Sequence, residues 1–190
     1  MRLRNDETSW GWPARLLHWA MAALILFMLG LGVYMTKVVT DLYVQFDLYQ
    51  LHKSWGFVVF ALAVARVVWR VASPTVPADP AGMPAWERAA ARGAHAALYA
   101  LMFAMPLSGW LTASASELQD LYGIRNTVFG RFELPDPFVP GSEALEATFS
   151  AVHAWSAVAL AGLLTLHVGA ALRHHFVLRD GVLKRMGFGR

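Results

Sequence analysis

Cysteine is absent from this 190-residue chain. That excludes disulfides, iron–sulfur clusters, thioether attachment of a haem and thiolate zinc sites. Charge is scarce as well: 15% of residues are Asp, Glu, Lys or Arg, against about 25% in a soluble domain. Three stretches carry no charge at all, 16–36, 93–116 and 147–172. Each is long enough to cross a hydrocarbon core about 30 Å thick. The N-terminus lacks a small-x-small cleavage site, and its apolar run is too long for a signal h-region, so no cleavable leader is expected. What the chain does contain is 57% hydrophobic residues and a mean hydropathy of +0.43. These values mark an integral membrane protein.

Four spans follow from the hydropathy, at about 13–35, 49–71, 92–113 and 148–174, in a single membrane domain covering 1–190. The second is the weakest, because its uncharged core is only 54–65, with Lys53 at one end and Arg66 and Arg70 towards the other. Pro13 suits the first turn of span one, and Ser142 with Glu143 suits a capped start before span four. The basic residues sort by side. Arg2, Arg4, Arg15, Arg66, Arg70, Arg88, Arg92, Arg173, Arg179, Lys184, Arg185 and Arg190 fall on one side, and Lys37, Lys53, Arg125 and Arg131 on the other. By the positive-inside rule both termini are cytoplasmic. The expected architecture is therefore all-α, a transmembrane four-helix bundle. The net charge of +3 and pI near 9.5 reflect this topology, and no nucleic-acid partner is expected. The connection 73–91 carries Pro74, Pro77, Pro80 and Pro84 and reads as a stiff loop without sustained helix. The segment 117–147 is the longest outer connection.

The histidines carry the chemistry. His153 and His167 are fourteen residues apart in span four. At 100° and 1.5 Å per residue they share one face and stand about 21 Å apart along the axis. His18 and His52 each open another span, one at either end. Ranked by depth, His18 faces His167 on the inner side, and His52 faces His153 on the outer side. Neutral imidazole is a good axial ligand, and four imidazoles in two layers are what two bis-histidine haems require. The simpler alternative for any single histidine is a hydrogen bond to a neighbouring helix's carbonyl.

Arg66 and Arg70 lie fourteen and eighteen residues after His52, hence on its face at inner depth. An intramembrane arginine needs a counter-charge; no acid in the spans supplies one, and a haem propionate would. His95 and His174 sit near the inner level, as further rings by a haem, as quinone contacts or as ordinary interfacial residues. Gly56 leaves room one turn after His52, and Gly109 follows His95 by fourteen residues; glycines in spans also serve helix packing. The tryptophans cluster towards span ends as an aromatic belt.

Several runs then resemble one family. They are Arg15-Leu-Leu-His18-Trp19, Leu51-His52-Lys53-Ser54-Trp55-Gly56, Ala94-His95-Ala-Ala-Leu-Tyr99 leading to Pro106-Leu-Ser-Gly109, and His167 to His174-His175-Phe176 followed by Arg179-Asp180-Gly181. In order and spacing they are similar to the bacterial cytochrome b561 family from about residue 10 to Met186. The resemblance implies a multi-pass inner-membrane bundle with two b haems that exchanges electrons with ubiquinone. By position, the iron ligands match His18, His52, His153 and His167. Family members also oxidise superoxide at the outer face and pass the electron to quinone. That activity would need a local cationic patch to attract the anion, for which Lys53, Arg125 and Arg131 are the candidates. Two other readings remain open. The chain is the membrane anchor and acceptor of a separate dehydrogenase, docked on 117–147, or it is a haem-free transporter. The lack of acids in the spans argues against a cation pathway.

Overall fold

The computed structural model describes residues 2–138 and 140–187; Arg190, counted above among the inner-side cations, lies outside them. Four helices are long and apolar enough to cross a membrane. Helix α1 (Trp12–Lys37) has Pro13 in its first turn, where the missing N–H costs no hydrogen bond. Helix α2 (Leu42–Ala72) begins a full two turns before the expected span. Asp41 caps it by accepting from the backbone N–H groups of Tyr43 and Val44 at 2.9 and 3.0 Å, so the helix is set by its cap rather than by the hydropathy edge.

Helix α3 (Ala85–Ala115) corrects the reading of 73–91 as non-helical. All four prolines of that connection precede Ala85, and Pro84 occupies the N-cap position. Proline blocks helix on its N-terminal side and is tolerated at its start, so 85–91 is free to be helical. A short helix, α4 (Glu117–Tyr122), and a two-stranded antiparallel hairpin, β1 (Thr127–Val128) with β2 (Phe132–Glu133), form the outer connection. Helix α5 (Glu143–Arg173) is capped by Ser142, which accepts from Leu145 N–H. It continues as a π turn over His174–Leu178, and α6 (Val182–Met186) closes the described chain.

The close helix pairs are α3 with α5, α1 with α2, and α2 with α3. The backbones of α5 and α1 stand farther apart than these pairs, and the two helices meet through side chains such as His18 and His167. The buried cluster Met21, Ile25, Val59, Ala63, Met102 and Leu160 fills the middle of the bundle. Leu160 is seven residues from both His153 and His167, so this apolar plug separates two histidine levels. Most remaining large apolar side chains, such as Leu26, Val68 and Leu166 at 64%, 61% and 69% exposure, face outwards where lipid would cover them.

Both ends of the bundle are closed by polar contacts. At the end bearing the termini, buried Asn5 donates to the Ser73 and Thr75 carbonyls, both at 3.1 Å, and accepts from Gly11 N–H at 2.9 Å. A Cβ on Gly11 would lie 2.3 Å from the Leu3 carbonyl oxygen, so only glycine fits that crossing. At the other end Ser54 Oγ accepts from Phe129 N–H at 2.9 Å, and Trp55 meets the Phe129 ring edge-on at 5.5 Å. The hairpin is thereby held onto α2 beside His52.

Candidate functional site

Helix α5 sets the site by carrying one histidine to each level. At one level, named outer after the orientation expected from the basic residues, His153 faces His52 of α2, with ring centroids 6.2 Å apart and planes at 78°. At the inner level His167 faces His18 of α1, again at 6.2 Å and with planes at 62°. Two imidazoles that share one metal ion through bonds of roughly 2 Å place their centroids about 6.3 Å apart. Both pairs meet that spacing, so the residues fit a metal held on two opposite faces. Among the described residues no cluster of three or more His, Asp or Glu side chains is arranged to cage a bare ion.

Helix α3 carries the polar contacts of the outer pair. Pro106 interrupts the hydrogen-bond ladder of α3, a common cause of local departure from regular helix. One residue earlier, the Met105 carbonyl accepts from His153 Nδ1 at 2.9 Å, and Ser108 Oγ donates to the same carbonyl at 3.0 Å. A carbonyl only accepts, so a proton on His153 Nδ1 answers it and leaves the lone pair on Nε2, the tautomer a metal ligand requires; Ser108 Oγ stands 3.2 Å from the same Nδ1. Gly109 lies under this ring: a Cβ there would stand 3.0 Å from His153 Cε1. Its partner in space is thus His153, not the His95 fourteen residues before it. Gly32 similarly backs His52, with a Cβ at 3.5 Å from Cε1, whereas Gly56 meets only Met28 at 3.9 Å. The buried Nδ1 of His52 has no hydrogen-bond partner among the described residues.

The inner pair has different neighbours. Arg66 of α2 donates from Nη2 to His18 Nδ1 at 3.2 Å and from Nε to Tyr99 Oη at 3.2 Å, with its guanidinium 5.6 Å from the Tyr99 ring centre. His95 of α3 is a third ring here, 5.4 Å from His167. Arg70 is not brought to the pair; it donates to the Pro74 carbonyl at 2.9 Å at the exposed end of α2. His174 is buried in the π turn between two carboxylates: it is hydrogen-bonded to Asp180 and stands 3.5 Å from Glu87, which also pairs with Arg173 at 2.6 Å. Burial pushes the Asp180 carboxyl up, but hydrogen bonds from His174 and Val182 N–H outweigh this and hold it below the ordinary carboxylate range. The sequence signal for this clasp was weak, since Glu87 lay in a segment read as loop.

The three outer cations are not equivalent. Lys53 donates to Asn126 Oδ1 at 2.9 Å, and Asn126, 1% exposed, is hydrogen-bonded in turn to Asp136. Arg125 pairs with Glu133 at 2.7 Å. Arg131 is exposed and has no side-chain partner among the described residues. Arg125 is thus answered by an acid and Lys53 by an amide, and Asn126, which ties Lys53 to the loop, was not singled out from sequence.

A family model described as prokaryotic cytochrome b561 matches residues 9–189. Cytochrome b561 homolog 2 of Escherichia coli (strain K12) is 34% identical over 190 residues, covering 98% of this chain and 95% of that protein. Cytochrome b561 homolog 1 of the same organism is 30% identical over 138 residues, 71% of this chain and 72% of that one. A protein of Yersinia pestis named probable superoxide oxidase CybB is 31% identical over 137 residues, 72% of each. With its four apolar helices and two facing imidazole pairs, the chain belongs to the prokaryotic cytochrome b561 family of haem-binding membrane electron-transfer proteins.

Proposed function

We propose that the chain carries two b haems, one between His52 and His153 and one between His18 and His167, and moves electrons between its outer face and ubiquinone. The observation that carries this reading is the repeated 6.2 Å spacing of two imidazole pairs at opposite ends of one helix. His52 with His153 and His18 with His167 would hold the haems, which would supply one-electron chemistry. The chain's own residues do the rest. His153 is locked in the ligating tautomer by Met105, and Gly109 leaves its ring free of a Cβ. The apolar plug around Leu160 keeps water from the path between the levels. At the inner level, ligation through His18 Nε2 would place the proton on Nδ1 and release Arg66, whose guanidinium then neutralises a propionate. His95 and His174 stand near this inner end, where a quinone would exchange its electrons and protons.

By the asymmetry of the basic residues, both termini lie in the cytoplasm and the protein resides in the bacterial inner membrane. Superoxide is the proposed electron donor, by analogy with the Yersinia pestis relative's name. Arg131 is then the cation best placed to attract it, because Lys53 and Arg125 are paired with neighbours. The alternative, an anchor that accepts electrons from a separate dehydrogenase, draws on the outer connection, where Leu121 and Tyr122 are 73% and 74% exposed. Purification with a stoichiometric partner would favour that alternative. Pyridine haemochrome assay of the purified protein tests the main reading: two haems per chain are expected, and one or none would overturn it. Superoxide-dependent reduction that is unchanged when Lys53, Arg125 and Arg131 are neutralised would remove superoxide steering by these cations.

A further inference from the structure

Where α5 leaves the membrane, the chain turns through Arg179 at φ 55 and Gly181 at φ 79. Left-handed backbone suits glycine, and Gly181 has it; an arginine stands at the other such position. The turn opens a cavity of about 220 Å³ lined by His175, Phe176, Arg179, Gly181 and Lys184. No carboxylate of the described residues lines it. Asp180, between these residues in sequence, is hydrogen-bonded to His174 and to Val182 N–H. Three neighbouring cations are engaged: Arg173 with Glu87, Arg15 with the Gly187 carbonyl and Arg185 with the Ala78 carbonyl. Neither Arg179 nor Lys184 has a side-chain partner among the described residues. Beside the cavity Phe176 and Val177, 66% and 71% exposed, continue the outward apolar surface of α5.

We infer that this cavity binds the phosphate of an anionic phospholipid. Two unanswered cations and an imidazole converge on a volume that suits one phosphate group. The adjoining apolar side chains sit where its acyl chains would begin. A free phosphate would satisfy the cations but leave Phe176 and Val177 unused.

Native mass spectrometry of the full chain, offered phosphatidylglycerol and phosphatidylcholine in neutral detergent, tests the inference. Phosphatidylglycerol is expected to be retained in preference. That preference should fall about fivefold for each cation removed in Arg179→Gly and Lys184→Gln. Glycine at 179 relaxes the left-handed backbone, so its thermal unfolding midpoint should hold or rise, which separates lost binding from lost folding. Equal retention of both lipids, or variants that keep the original preference, would overturn the inference. Displacement of phosphatidylglycerol by low-millimolar inorganic phosphate would likewise overturn it, in favour of a free-anion site.

Discussion

The two histidine levels share one spacing and differ in what surrounds it. At the outer level one ring is held by the Met105 backbone carbonyl, over a glycine, and under a hairpin docked on Ser54. At the inner level the neighbours are a guanidinium and a third imidazole, and no carbonyl fixes the tautomer of His18. Backbone contacts cannot be lost by changing rotamer, whereas Arg66 can swing. The outer level is therefore built as a rigid seat and the inner level as one that responds to charge.

The largest expected effect breaks one level and spares the other. His153→Ala or His52→Ala should halve the haem content and leave the inner absorbance, while His18→Ala should do the reverse; equal loss at both levels would contradict the pairing. Next comes Gly109→Ala. Its Cβ would lie 3.0 Å from His153 Cε1, tighter than an ordinary contact, so the outer haem should bind less firmly and its electron paramagnetic resonance signal should shift. Gly169→Ala, with nothing within 4 Å, should leave both unchanged. Arg66→Gln sharpens the comparison in the other direction. Removal of a cation stabilises the more positive ferric state, so the inner midpoint should fall by about 60 mV if the interaction is worth a factor of ten, with the outer midpoint unmoved in a redox titration.

The smallest effect is on pH. The Asp180 carboxyl is held below its ordinary range, so its contribution is fully present above the unfolded value near 4 and is lost as pH falls through the folded one. The protection of Val182 N–H against hydrogen exchange, a group from which Asp180 accepts at 3.1 Å, should therefore fall only under acid. Asp180→Asn should remove most of that dependence.

Much of this arrangement was legible because it depends on position along one helix. The fourteen-residue spacing of His153 and His167 fixes both a common face and two depths, and neither needs knowledge of a partner. What the sequence hid depends on how neighbouring helices are rotated. Gly109 follows His95 by fourteen residues on α3, yet the ring it backs belongs to α5, because α3 and α5 pack along their length. Arg66 and Arg70 are one turn apart on α2, but only the deeper one reaches a histidine; the other finds a loop carbonyl first. Asn126 looked like any polar loop residue, and only its burial against Lys53 and Asp136 distinguishes it.

The gap between the α1 and α5 backbones bears on how the protein matures. With α1 and α5 meeting through side chains and not along their backbones, each half-site of the proposed haem ligands belongs to a wall that can stand before its opposite is engaged. A flat cofactor could then enter sideways from the lipid after all four helices are inserted, and the imidazoles would clamp it like the last stone of an arch. On this order of events, chains made under haem starvation insert normally but stay ajar, and they would be cleared by membrane proteases faster than loaded ones. Pulse-chase turnover with and without haem synthesis would reveal that difference, and equal half-lives would rule the order out.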